Sequence, residues 1–423
     1  MSSKSASISF SVVEAEPVSI IGDLVHYSNS ILAGLAAAFL AVLALGTLWA
    51  NDEAARITSI SIGYSITYLF YFVALWIASR VPESPHFKKV VVLAAISFRL
   101  LAFTLPSSLS DDYLRYQWEA QTLSKGLNPY RTSPAQLADP DHRIPGYDFS
   151  AVYGPVLQSA HWVTYQTGLP MKTSASLAEA LLLLLAWRQR WPVWRWMILA
   201  WSPLSVYEYW MNGHSDSWIM LLLFTAFLTK GSTTWIWLAL ATLTKWWPLL
   251  LVPLWIGQRF SAPGLLAYGV LLSGCLLLMP ASEWITKIRF TTGFLGGWQN
   301  NAFLYRFLSD KMQAIGISVF TSAVLPFLKL GLAESILCFL TIFLAFSANI
   351  HLWYLGWLLP FLAATRWGPL PWLLPMALLP LAYDSMIGWR LSGSWQEDEL
   401  MRVWIWSGVL VFSGYSFFSK RNG

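Results

Sequence analysis

The sequence predicts an all-α polytopic membrane protein, a bundle of about 12 transmembrane helices plus one re-entrant segment, with structured outer loops. Three observations carry this expectation. Of the 423 residues, 56% are hydrophobic and only 12% charged, whereas a soluble domain carries about 25% charged residues. The 26 Trp, 17 Tyr and 24 Phe supply the aromatic load that collects at membrane–water interfaces. Apolar runs of bilayer-crossing length, about 17–25 residues, recur along the whole chain.

The same arithmetic excludes other classes. The net charge is +5 and the basic residues are scattered in short groups, so no nucleic-acid partner is expected. Cys275 and Cys338 both lie inside apolar runs, which argues against a disulfide framework or a cysteine metal site. No period of 20–50 residues repeats, which excludes a solenoid or propeller. Residues 1–423 therefore read as one integral membrane domain. No obligate protein partner is implied.

The predicted spans lie near 30–50, 57–79, 90–109, 174–189, 196–212, 214–230, 262–281, 312–329, 332–348, 351–365, 369–386 and 402–419. The stretch before the first span lacks the apolar core of a cleavable signal, so that span is expected to act as an uncleaved anchor. Between 234 and 258, Pro248 breaks the helix and Lys245 is costly in lipid, so this piece reads as two half-helices that begin and end on one side. With it re-entrant, Arg80, Lys88, Lys89, Arg188, Arg190, Arg195, Lys230, Arg259, Lys329, Arg366 and the Lys420-Arg421 tail all fall on the cytoplasmic side. Both termini are then cytoplasmic, in a multi-pass protein of the cell (inner) membrane. Residues 110–173 and 282–311 form two large loops on the outer, periplasmic face.

The chemistry gathers on that face. Asp111 and Asp112 follow the third span directly, with Arg115, Tyr116 and Glu119 after them and Asn128-Pro129-Tyr130-Arg131 closing the stretch. Paired aspartates at an interface suit a general base or a divalent cation, and they suit equally the plain capping of the next helix. A second group comes from Glu208 and the turn Asn212-Gly213-His214-Ser215-Asp216. A carboxylate such as Glu208 inside a span is a functional candidate by default, while Asp216 could merely cap a helix. Asn349-Ile350-His351-Leu352-Trp353-Tyr354 opens the span near 351–365, either as part of a site or as an aromatic belt. Lys245 either meets an anionic lipid head or snorkels to the cytoplasmic interface. Arg99, in mid-span, is expected to pair with Glu179 or Glu208. No phosphate-binding glycine motif occurs, so an activated substrate has to arrive within the membrane or from outside.

These motifs resemble a known family. Ser-Asp-Asp-Tyr-x-Arg-Tyr-x-Trp-Glu at 110–119, followed by Gly126-Leu127-Asn128-Pro129-Tyr130-Arg131, is similar to the first outer loop of the GT-C superfamily of glycosyltransferases that use lipid-linked sugars. The closer likeness is to glycosyltransferase family 87 and to the mannosyltransferase of glycosylphosphatidylinositol assembly. Tyr153-Gly154-Pro155-Val156 resembles the family's Tyr-Pro-Pro-Leu, with Gly154 replacing a proline. His214-Ser215-Asp216, Thr244-Lys245-Trp246-Trp247-Pro248 and His351-Leu352-Trp353-Tyr354 resemble its later elements, the last with Leu352 where proline is usual. The likeness covers about residues 95–365 and leaves out the two N-terminal spans.

The resemblance implies a GT-C-like bundle and an inverting transfer of a hexose, by family default mannose, from a polyprenyl-phosphate carrier to a lipid or glycan acceptor. Asp112 is then the expected base and Asp111 the second candidate. Arg115 and Arg131 are candidates for the lipid phosphate, and Glu208, His214 and Asp216 for holding the acceptor or sugar. Tyr116, Glu119, Asn128, Tyr130, Lys245, His351, Trp353 and Tyr354 complete the expected substrate-binding set. The resemblance implies no cofactor and no metal. Two other classes fit the spans: a transporter or flippase of a lipid-linked saccharide, and a polymerase or ligase of surface polysaccharide. Transporters, however, usually place ionisable groups at the bilayer midplane between inverted repeats, and no half-to-half similarity is present here.

Overall fold

The computed structural model describes residues 18–48, 50, 52–139, 141–277 and 299–407. Residues 1–17 ahead of the predicted anchor, 278–281 of the predicted span near 262–281, positions 282–298 of the second predicted outer loop, 408–419 of the last predicted span and the Lys420-Arg421 tail lie outside the described residues.

Helix starts follow local chemistry. The helix α1 covers Val18–Leu48 and α2 covers Glu53–Ala78, the latter begun by Asp52, whose carboxylate accepts from Ala55 N at 2.7 Å. Ser84 caps α3, Pro85–Thr104, and Pro85 occupies the first turn, where its missing N–H costs nothing. Next come α4, Asp112–Ser124, α5, Pro155–Gln166, α6, Lys172–Arg188, and α7, Val193–Ala200. The π-helical turn Ser205–Met211 follows, then α8, Ser217–Leu228, α9, Ser232–Thr242, α10, Val252–Arg259, and α11, Ala262–Leu277. Further on lie α12, Lys311–Val324, α13, Leu332–Ala345, α14, Leu352–Ala364, and α15, Leu370–Ser392. No strand forms among the described residues, and one parallel bridge joins Asn300 to Asn349.

Among the described residues, three helices are long and apolar enough to cross a membrane: Tyr27–Leu48, Glu53–Ala78 and Leu370–Ser392. Twelve full-length spans are therefore not confirmed among the described residues. Several apolar windows of the sequence are divided by backbone breakers. Window 196–212 contains Pro203 and splits into α7 and the π-helical turn, because proline cannot supply the helix N–H there. The helices α8, α13 and α14 are shorter apolar pieces, packed together into one core through Leu222, Phe224, Leu340 and Phe361.

Segment 234–258 forms a hairpin. Its ends lie side by side, with Ser232 Oγ 3.1 Å from Ser261 Oγ and Trp235 Nε1 donating to Arg259 O at 3.0 Å. Lys245 is at the tip. Arg99, buried in α3, resolves its expected pairing in favour of Glu179 on α6: Nε donates to Oε2 at 2.9 Å and Nη1 donates to Ala200 O at 2.7 Å. Trp210 Nε1 adds a bond to Glu179 Oε2 at 2.9 Å. This cluster locks α3, α6 and the end of α7 together.

Candidate active site

Four separate segments bring ionisable groups to one end of the bundle. The loop ahead of α4 is pinned first: Asn212 Oδ1 accepts from Ser108 N at 3.1 Å and Leu109 N at 3.0 Å, while Asn212 Nδ2 donates to Tyr207 O. Gly213 then turns with φ +80°, and a Cβ there would stand 2.7 Å from Lys172 Cβ, so only glycine fits. The turn delivers His214 and Asp216 beside Asp112.

His214 is fully buried between two carboxylates. Its Nδ1 lies 3.0 Å from Glu208 Oε2 and its Nε2 3.8 Å from Asp112 Oδ2. Neither contact has hydrogen-bond alignment. Glu208, carried by the π-helical turn, receives Tyr383 Oη at 3.0 Å on each oxygen. A π-helical turn lets one residue protrude from the regular helical ladder, and such turns recur at functional sites. Trp353 is sandwiched between His214, 3.6 Å away at 15°, and His351, 4.3 Å away at 13° (ring centroids and planes).

Asp216 makes no capping bond at the start of α8. Lys245 Nζ instead lies 2.8 Å from both its oxygens, and Trp357 Nε1 donates to Oδ1 at 2.8 Å. The ammonium also sits 4.7 Å from the Tyr354 ring centre and 5.6 Å from that of Tyr153, within cation–π range. Lys245 therefore does not snorkel away from the aspartates. The hairpin tip is held there by two backbone bonds, Gly154 N to Thr244 O at 2.9 Å and Val156 N to Leu243 O at 3.1 Å. A Cβ on Gly154 would collide with the Leu243 carbonyl, which explains glycine where the resembled family has proline.

Asp111 stands at the N-cap position of α4, yet its side chain caps nothing. It accepts instead from Arg390 Nη2 at 2.8 Å, and Arg390 also pairs with Glu53. Burial raises the Asp111 pKa and Arg390 opposes the shift. Burial likewise raises Asp112, against the lowering pull of His214 and Lys245. Tyr116 approaches Asp112 Oδ2 at 3.5 Å and stacks on His161, whose Nε2 is 2.7 Å from Ser215 Oγ. Burial pushes the His161 pKa down to about 3.

The remaining expected residues serve other contacts. Arg115 is buried, donating from Nε to Glu119 Oε1 at 2.7 Å and from Nη1 to Gly146 O at 2.9 Å. Glu119 also receives Gln158, so neither partner of this pair faces the cluster as a free charge. Asn128 Oδ1 accepts from Tyr130 N at 2.9 Å, a local turn contact, and Tyr130 Oη donates to Tyr153 O at 2.9 Å. Arg131 is exposed. Trp353 is buried, 7% exposed, which removes the aromatic-belt reading at that position. Sequence reasoning missed Arg390, Tyr383, Trp357 and Asn300. Arg390 alone carried a signal, as an arginine at the end of an apolar helix.

The described residues define an all-helical protein with three helices long and apolar enough to cross a membrane and a carboxylate–imidazole–lysine cluster at one end of its bundle. Comparisons with family models, with curated proteins and with solved structures found no match.

Proposed function

We propose that the chain is a membrane glycosyltransferase that moves a hexose from a polyprenyl-phosphate carrier to a lipid or glycan hydroxyl on the outer face, with inversion. One observation supports this most: among the clustered carboxylates, Asp112 is the accessible one. Its side chain is 23% exposed, against 11% for Asp111, 1% for Asp216 and 0% for Glu208. A base has to reach the hydroxyl it deprotonates; the sealed Asp216 and Glu208 cannot, and Asp111 is less exposed and held by Arg390.

In this reading Asp112 takes the acceptor proton as the acceptor oxygen bonds to the anomeric carbon. The carbon–phosphate oxygen bond breaks on the opposite face, and its electron pair leaves with the lipid phosphate. The leaving group is already an anion and needs a cation rather than an acid. Both candidate cations are paired, Lys245 with Asp216 and Arg115 with Glu119, but Lys245 is 15% exposed against 5% for Arg115 and is the better placed for it. Negative charge from Asp112 and Asp216 also favours the oxocarbenium-like transition state. Burial raises the Asp112 pKa and so strengthens it as a base.

The test is incubation of purified protein with radiolabelled polyprenyl-phosphate mannose, the corresponding glucose donor and a membrane lipid extract. Label transferred to a lipid or glycan with inverted anomeric configuration is expected. Uptake of donor across proteoliposomes without any transfer would replace the enzyme with a transporter.

A further inference from the structure

We propose that Asn300, Asn349 and His351 form a neutral subsite that recognises the hydroxyls of the donor hexose. The proposal rests on the transferase reading and adds to it the part of the protein that reads the sugar. The parallel bridge builds this face: Asn300 N donates to Ala348 O at 3.0 Å, and Ile350 N donates to Asn300 O at 2.7 Å. Paired residues of such a bridge carry their side chains on the same side, and alternation returns residue 351 to the side of 349. The contact of 2.9 Å between Asn300 Nδ2 and His351 Nδ1 agrees with that geometry.

The amides are buried yet incompletely used. Asn300 and Asn349 are each 3% exposed. Among the described residues, Asn300 Oδ1 and both Oδ1 and Nδ2 of Asn349 have no hydrogen-bond partner. Buried polar groups are paired in the great majority of cases, so three orphaned atoms on one face call for a ligand. Together they present two acceptors and an amino donor. Neighbouring sugar hydroxyls match this pattern, because each both donates and accepts. A phosphate would accept only, and amides bring no charge to hold it.

The position is suitable. His351 stacks on one face of Trp353 and His214 on the other, and His214 Nε2 is 3.8 Å from Asp112. The amide face thus stands across two stacked rings, His351 and Trp353, from the imidazole beside the base. A donor ring lying there would have its reactive carbon toward the carboxylates and its hydroxyls toward the asparagines.

The experiment compares binding of polyprenyl-phosphate mannose with binding of polyprenyl phosphate, in the full-length protein and in Asn349→Ala, Asn300→Ala and Asn349→Asp. The wild type is expected to bind the sugar-bearing lipid more tightly. Each alanine variant should cut that sugar-dependent gain about tenfold, leaving polyprenyl-phosphate affinity unchanged. Because Asn349→Ala deletes orphaned groups, its melting temperature should hold or rise. Equal wild-type affinity for the two lipids, or an undiminished gain in the variants, would overturn the subsite. So would a fall in melting temperature accompanied by equal loss of both lipids, which marks a structural role. A sugar-dependent gain that needs Asn349 in a protein that transfers no label would sustain the subsite while removing the transferase reading.

Discussion

Lys245→Met removes the ammonium that stands 2.8 Å from both Asp216 oxygens while keeping an unbranched side chain of similar length. Asp216 is 1% exposed and, among the described residues, would retain only the Trp357 indole as a donor. At an effective dielectric of about 20, a contact this close corresponds to an attraction of about 6 kcal/mol before desolvation. Breaking a buried pair by removing one partner costs about 3–5 kcal/mol, since the remaining charge is uncompensated. Lys245→Met should therefore lower the melting temperature by several degrees in detergent. The double variant Lys245→Met/Asp216→Asn should recover most of that loss, because no buried charge is left alone. If Lys245 also receives the leaving phosphate, the rescued double variant stays without transfer. Thermal unfolding followed by tryptophan fluorescence, with donor turnover on the same preparations, reads both quantities. An unaltered melting temperature in Lys245→Met would refute the pairing argument, and normal turnover in the double variant would refute the phosphate role.

Other predictions draw on different contacts. Gly154→Ala should destabilise by about 2 kcal/mol or more, measured by thermal unfolding, because its Cβ meets the Leu243 carbonyl and two backbone bonds to the hairpin tip must break. Arg390→Gln should lower turnover without abolishing donor binding, since it releases Asp111 and Glu53 together; steady-state kinetics separate the two. His161 is held neutral with its pKa at about 3, below an unfolded value of about 6.5, so its contribution to stability is present above about 6.5 and is lost as pH falls. Between these values that contribution should decline by about 1.4 kcal/mol per pH unit, and His161→Gln should flatten the acid limb of the unfolding curve.

The residues explain how much of this was legible. The all-helical class, the helices long and apolar enough to cross a membrane and most helix positions follow from composition and apolar windows. The division of window 196–212 does not, because hydropathy averages over Pro203 and the π-helical turn. Asp112, His214, Asp216 and Lys245 were each visible as polar groups out of place. Their convergence was not, since Lys245 and Asp216 are joined only by the fold of the hairpin. Arg115 shows the reverse problem. Spacing sets it three residues from Asp112, but a helical neighbour at i+4, Glu119, takes its guanidinium. Asn300 carried no signal, and Asn349 showed only as the first residue of the His351 segment: they become a pair only through the bridge.

The most direct test of the account is the single-turnover rate of hexose transfer from bound donor in Asp112→Asn beside Asp111→Asn. Asparagine keeps the shape of the side chain and removes the proton-accepting charge. The account predicts that Asp112→Asn loses about 10²–10⁴-fold in rate while still binding donor. Its melting temperature at neutral pH should be equal or higher. Folding raises the Asp112 pKa, so its charged form costs stability once the pH exceeds the unfolded value, and asparagine removes that cost. Asp111→Asn should retain most of the rate. Near-normal transfer by Asp112→Asn, or abolished transfer by Asp111→Asn alone, would contradict the account.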